Sequence, residues 1–190
     1  MKRVFIVHGW ASSPDDAWLP WVKAELEKRG FEVVAPAMPN PAIPVIAEWV
    51  SRLRGVVGHV DKETYFIGHS IGCQAILRFL DSLPASSMIG GVLCVGGWFT
   101  LKGLADAAER LLAKPWLETP MDFEKIKSVA PRITAIFSDN DPFVPLENVD
   151  LFKQQLNAKT IVEQGRGHFA RADGVFELPE AVEEMMRLTK

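Results

Sequence analysis

Short β-branched runs alternate with longer stretches of helical periodicity along nearly all of these 190 residues, and this rhythm restricts the possible folds more than any other feature. Strand, helix and strand in succession favour parallel pairing with the helix as crossover, which places the chain in the α/β class. The expected strands are Val4–Val7, Glu32–Ala35, Tyr65–Ile67, Ile89–Val95, Ile133–Phe137 and Thr160–Val162. Several are apolar at consecutive positions, as strands covered by helices on both faces are. Ala17–Arg29 carries Leu19, Val22 and Leu26 at helical spacing and stops at Gly30, a residue suited to closing a helix. Further helices are expected over Val45–Val57, Ile71–Leu83, Leu104–Lys114, Asn148–Leu156 and Pro179–Leu188.

A chain of this length fits one domain, residues 1–190, with no repeat, low-complexity tract or linker. Its 21 basic and 24 acidic side chains give a net charge of −3, so no cationic excess is present to bind nucleic acid or an anionic membrane. Cys73 and Cys94 form no CxxC pair or disulfide framework, which suits a reducing compartment. The apolar run after Lys2 and Arg3 is only four residues long before His8, too short for a signal peptide core, and no stretch of about 18 apolar residues is present. A cytoplasmic protein is expected.

Two stretches interrupt the rhythm: the proline-rich segment 36–44, and the long connection 96–129. Both follow expected strands, on the sheet edge where open α/β folds bind ligands. They are candidate walls of a site, with 96–129 a candidate small cap carrying Trp98, Phe99 and Trp116. Such aromatic residues more often belong to a core.

Gly68-His69-Ser70-Ile71-Gly72 lies between an expected strand and an expected helix, the setting of a nucleophile elbow. Small residues on either side relieve crowding in the sharp turn and leave the Ser70 hydroxyl exposed. That hydroxyl needs a base. His168, in the loop after the last strand, is the candidate; His8 and His69 flank motifs beside the sheet, where they more naturally hold loops, and His59 ends a helix. The imidazole in turn needs a carboxylate, and Ser138-Asp139-Asn140-Asp141 offers two. Asp141 lies deeper in the loop, whereas Asp139 could equally accept backbone N–H groups of its own turn. Negative charge on a substrate carbonyl would be met by the backbone N–H groups of Ile71, at a helix start, and Trp10, in the loop after the first strand. Gly165-x-Gly167 lacks the third glycine of a dinucleotide fingerprint, and neither a Walker motif nor HExxH is present, so no cofactor and no metal are expected.

With these residues in place, the chain resembles the α/β-hydrolases, and within them the small YdeN-like, retinoblastoma-binding protein 9-like serine hydrolases. The resemblance spans nearly the whole chain. It rests on Val7-His8-Gly9-Trp10, Met38-Pro39-Asn40-Pro41, the run from Gly68 to Leu80, Asp139 to Pro145, and Gly167-His168-Phe169. It implies a three-layer fold built on a minimal, mostly parallel sheet of about six strands in the order 2-1-3-4-5-6, without the usual N-terminal hairpin. The superfamily pattern Asp-x-x-Val-Pro maps onto Asp141 and favours it over Asp139. An LxCxE segment is absent, since the chain around Cys94 reads Leu93-Cys94-Val95-Gly96, so a retinoblastoma-type interaction is not expected. The implied activity is hydrolysis of a small ester, or secondarily an amide, through an acyl-enzyme on Ser70, with activity falling below roughly pH 6.5, where an ordinary imidazole becomes protonated. The alternatives are a non-catalytic binding module on a hydrolase scaffold, since fold alone does not establish activity, and an acyltransferase or peptidase. The expected partner is a small acyl substrate; oligomeric state is open.

Overall fold

In the computed structural model, which describes residues 1–190, the chain runs β1 (Arg3–Val7), α1 (Leu19–Glu27), β2 (Glu32–Val34), α2 (Ile46–Val57), β3 (Thr64–His69), α3 (Ile71–Asp81) and β4 (Gly91–Val95). It continues through α4 (Ala107–Glu118), α5 (Phe123–Val129), β5 (Ile133–Ser138), α6 (Glu147–Leu156), β6 (Lys159–Glu163) and α7 (Pro179–Leu188). The six strands form one sheet in the order 2-1-3-4-5-6, and every pairing is parallel.

Alternation along the strands divides the core into two layers. Val4 and Ile6 of β1, Tyr65 and Ile67 of β3 and Leu93 and Val95 of β4 pack with α1 and α7. Phe5, Val7, Phe66, Val92 and Cys94 point the other way, onto α2, α3, α5 and α6. Because both sheet faces are covered, β3, β4 and β5 are buried at every position. No helix is long and apolar enough to cross a membrane.

Segment 96–129 departs from expectation. Its helix begins at Ala107 rather than Leu104, because the Asp106 carboxylate caps the Glu109 N–H at 2.9 Å. It continues through Pro115 to Glu118, and a second helix, α5, follows with Asp122 capping Lys125. The buried guanidinium of Arg78 holds the end of α4, donating to the carbonyls of Trp116 at 2.7 Å and Thr119 at 2.9 Å. A cation suits a helix C-terminus, where carbonyls lack partners. Burial holds the Arg78 pKa below its usual value, with the charge of Asp81 opposing the shift.

Trp116 is 1% exposed and packs edge-on against Trp49 at 5.8 Å. Its role is to seat α4 on the core. Three indole N–H groups fasten the proline-rich segment: Trp10 to the Ala42 carbonyl, Trp49 to that of Pro39 and Trp116 to that of Pro44. A segment poor in backbone donors is therefore held through its acceptors.

Candidate active site

β3 ends and α3 begins around one residue, Ser70, whose φ of 54° lies in the left-handed region. Such a conformation costs a non-glycine residue about 1–3 kcal/mol and persists only where the surroundings enforce it. The flanking glycines permit that enforcement. A Cβ on Gly72 would lie 2.3 Å from the Val7 carbonyl oxygen, and one on Gly68 would lie 2.7 Å from the Cys73 nitrogen. Neither position can carry a side chain without opening the turn.

The Ser70 hydroxyl meets His168 Nε2 at 2.9 Å, and His168 Nδ1 meets Asp141 Oδ2 at 2.7 Å. The carboxylate can only accept at neutral pH, so Nδ1 carries the proton and the Nε2 lone pair faces the serine. Asp141, 3% exposed, is held further by the N–H groups of Phe143 and Val144, both donating to Oδ1 at 2.8 and 2.9 Å. Three donors around one buried carboxylate compensate its loss of water. Asp139 serves elsewhere, accepting the Gly165 N–H at 2.8 Å, while Ser138 Oγ and Asn140 Oδ1 accept those of Arg166 and Gly167. Asp173 Oδ2 takes the His168 and Ala170 N–H groups. The loop carrying His168 is thus fixed amide by amide.

The backbone N–H groups of Trp10 and Ile71 have no backbone acceptor in the protein. For Ile71 this follows from its place as the first residue of α3, where no preceding turn supplies a carbonyl. The Trp10 loop is steadied by His8, which accepts the Met38 N–H on Nε2 at 3.0 Å and donates from Nδ1 to the Gly9 carbonyl at 2.9 Å. Burial lowers its pKa, keeping it neutral.

Ser70 and His168 open into a cavity of about 330 Å³ whose walls are largely apolar, including Trp10, Leu19, Trp98, Leu101, Leu104 and Phe143. Segment 96–129 therefore contributes Trp98, Leu101 and Leu104. Phe99 and Trp116 do not line the cavity: Phe99 packs against Phe123 and Phe152, and Trp116 belongs to the core. The proline-rich segment does not line it either; it supports the Trp10 loop from behind. A larger depression of about 600 Å³ beside α2 has a single apolar lining residue and touches none of Ser70, His168 or Asp141. No cluster of three or more His, Cys, Asp or Glu comes together that could hold a metal. Cys73 and Cys94 are free and buried, and burial pushes the Cys73 thiol pKa up, away from the reactive thiolate.

His69 is the neighbour whose importance the sequence hides. Its Nε2 donates to the His168 carbonyl at 2.8 Å, and its ring lies 5.2 Å from that of His168. Burial, reinforced by His168, pushes its pKa down from 6.5 to about 4. The unfolded chain takes up this proton as pH falls through 6.5, while the folded protein refuses it until about 4. Stability is therefore expected to decline across that window, by about 3 kcal/mol from this group. Urea midpoints at pH 7 and pH 4.5 check it: His69→Gln should show a smaller drop than the unmodified protein, and an equal drop would contradict the assignment.

The chain matches the serine hydrolase family over residues 4–187. The YdeN protein of Bacillus subtilis (strain 168) is 32% identical over 178 residues, covering 94% of this chain and 91% of the relative. Serine hydrolase RBBP9 of Rattus norvegicus is 31% identical over 170 residues, covering 89% and 86%. The crystal structure of the ydeN gene product from B. subtilis superposes with a TM-score of 0.89 at 30% identity, over 99% of this chain and 98% of that one.

Proposed function

This chain belongs to the serine hydrolase family, and we propose that it cleaves small carboxylic esters, and secondarily amides, through an acyl-enzyme on Ser70. The observation that carries this reading is the unbroken hydrogen-bond chain from Ser70 through His168 to Asp141 at the edge of an apolar cavity.

Ser70 Oγ attacks the ester carbonyl carbon as its proton passes to His168 Nε2. Asp141 stabilises the resulting imidazolium and keeps the ring in register. The N–H groups of Trp10 and Ile71, free of backbone acceptors, receive the carbonyl oxygen as it becomes negative. Collapse of the tetrahedral intermediate breaks the C–O bond, and His168 returns its proton to the departing alcohol. Water then enters, gives a proton to His168 and attacks the acyl carbon; the bond from that carbon to Ser70 Oγ breaks as His168 passes the proton to Oγ, releasing the acid and restoring Ser70.

The cavity volume, about 330 Å³, sits at the low end for ligand pockets, so the acyl group is short. A series of p-nitrophenyl esters tests this: kcat/KM is expected to be highest for acyl chains of roughly two to six carbons and to fall beyond them. A maximum at twelve or more carbons would contradict the assigned acyl pocket.

A further inference from the structure

His69 Nε2 faces a carbonyl oxygen, which can only accept, so the ring proton sits on Nε2 and Nδ1 keeps a lone pair. That lone pair has no hydrogen-bond partner in the protein, although His69 is only 6% exposed and lines the cavity. Trp18, fully buried, packs edge-on against the ring at 5.8 Å and limits its rotation. Nδ1 lies close to the nucleophile across Gly9: a Cβ built there would sit 3.1 Å from His69 Nδ1 and 3.6 Å from Ser70 Cβ. A side chain at Gly9 would fill the narrow gap between them.

Both carboxylates of the cavity have partners of their own, Glu109 through one of its two oxygens. Asp16 accepts from Ser12, Ala17 and Arg171, and Glu109 Oε2 accepts the Ala105 N–H. No lysine or arginine lines the cavity. We propose, building on the serine hydrolase reading above, that His69 Nδ1 is a specificity-determining acceptor for a hydroxyl on the acyl group next to the scissile carbonyl, so that 2-hydroxyacyl esters are preferred substrates. A neutral hydroxyl fits better than an ammonium group, because a fixed cation here would oppose the positive charge that His168 acquires during the reaction. The low His69 pKa, about 4, keeps the lone pair available in the presence of the surrounding His168, Asp141 and Asp16.

An acyl group without a donor strips water from Nδ1 and offers nothing in return, so one neutral hydrogen bond should appear as a preference of about tenfold. The test uses p-nitrophenyl 2-hydroxypropanoate, 2-fluoropropanoate and alaninate, with each kcat/KM divided by the rate of hydroxide hydrolysis to remove intrinsic reactivity. The unmodified enzyme is expected to favour the hydroxy ester over the fluoro ester about tenfold. His69→Gln retains a donor for the His168 carbonyl but has no acceptor at the Nδ1 position, and should lose the preference. His69→Asn places an oxygen near that position and should keep it. Each comparison is made within one preparation, so a general loss of rate cancels. Equal normalised rates for the unmodified enzyme would overturn the inference, as would a preference that survives in His69→Gln. An alaninate preference that survives in His69→Gln and exceeds the hydroxy preference would assign donor recognition to Asp16 or Glu109 and also overturn it. Hydrolysis of the fluoro ester without hydroxy preference leaves the hydrolase reading standing; absence of turnover for every ester removes both.

Discussion

Ser70→Ala is expected to lower kcat for ester hydrolysis by about 10⁴- to 10⁶-fold. Alanine has the same Cβ as serine and experiences the same left-handed strain at φ 54°, so the turn gains no relief and the change removes only Oγ. The thermal midpoint should therefore move little while the rate collapses. Residual hydrolysis above the uncatalysed rate would come from the unmatched Trp10 and Ile71 N–H groups, which still receive a developing oxyanion when water attacks directly. Steady-state turnover of a p-nitrophenyl ester, with a melting curve on the same sample, checks both halves. A variant retaining a tenth of the activity would mean that another group is the nucleophile.

Asp141→Asn should cost about 10⁴-fold in kcat with little change in KM. The asparagine can keep its carbonyl oxygen toward the Phe143 and Val144 N–H groups, which continue to donate to it. Its amide N–H₂ then faces His168 Nδ1, which must become the acceptor, and the ring proton moves to Nε2. The nitrogen opposite Ser70 can no longer take the serine proton. The fold is preserved because the side chain remains hydrogen-bonded on both edges. Steady-state kinetics on the variant, with a melting curve beside them, check this, and a kcat within tenfold of the unmodified enzyme would contradict the role given to Asp141. By contrast, Asp139→Asn leaves an oxygen for the Gly165 N–H, and its effect on kcat should be far smaller.

The sequence carries the sheet and the meeting of Ser70, Asp141 and His168 for one physical reason. Each residue follows a strand of a parallel sheet, and such a sheet delivers the loops after its strands to one edge. What lies beyond that depends on contacts without a local signature. Trp116 turns into the core because Arg78 and the Pro44 carbonyl, distant in sequence, hold α4 in place. Phe99 is turned toward Phe152 by Asn148, whose side-chain oxygen accepts the Phe99 N–H at 2.6 Å. Helix α5 is short, and Asp122, its N-cap, looks like any polar loop residue until its partner is known. The second role of the acid loop is similarly hidden: Asp139 reads as an acceptor within its own turn, yet it serves with Ser138 and Asn140 as an acceptor for the histidine loop. His69 reads as a residue that holds a loop, which its Nε2 does by donating to the His168 carbonyl; that its ring also lines the cavity has no local signature.

The central claim is that Ser70 is a nucleophile activated by His168, and the most direct measurement is the mass of the intact protein after exposure to a fluorophosphonate, followed by peptide mapping. One adduct per chain is expected, on the peptide containing Ser70, with none on Ser70→Ala and much slower formation on His168→Ala. An adduct of equal yield on Ser70→Ala, or an adduct on Ser70 that forms as fast without His168, would contradict the claim.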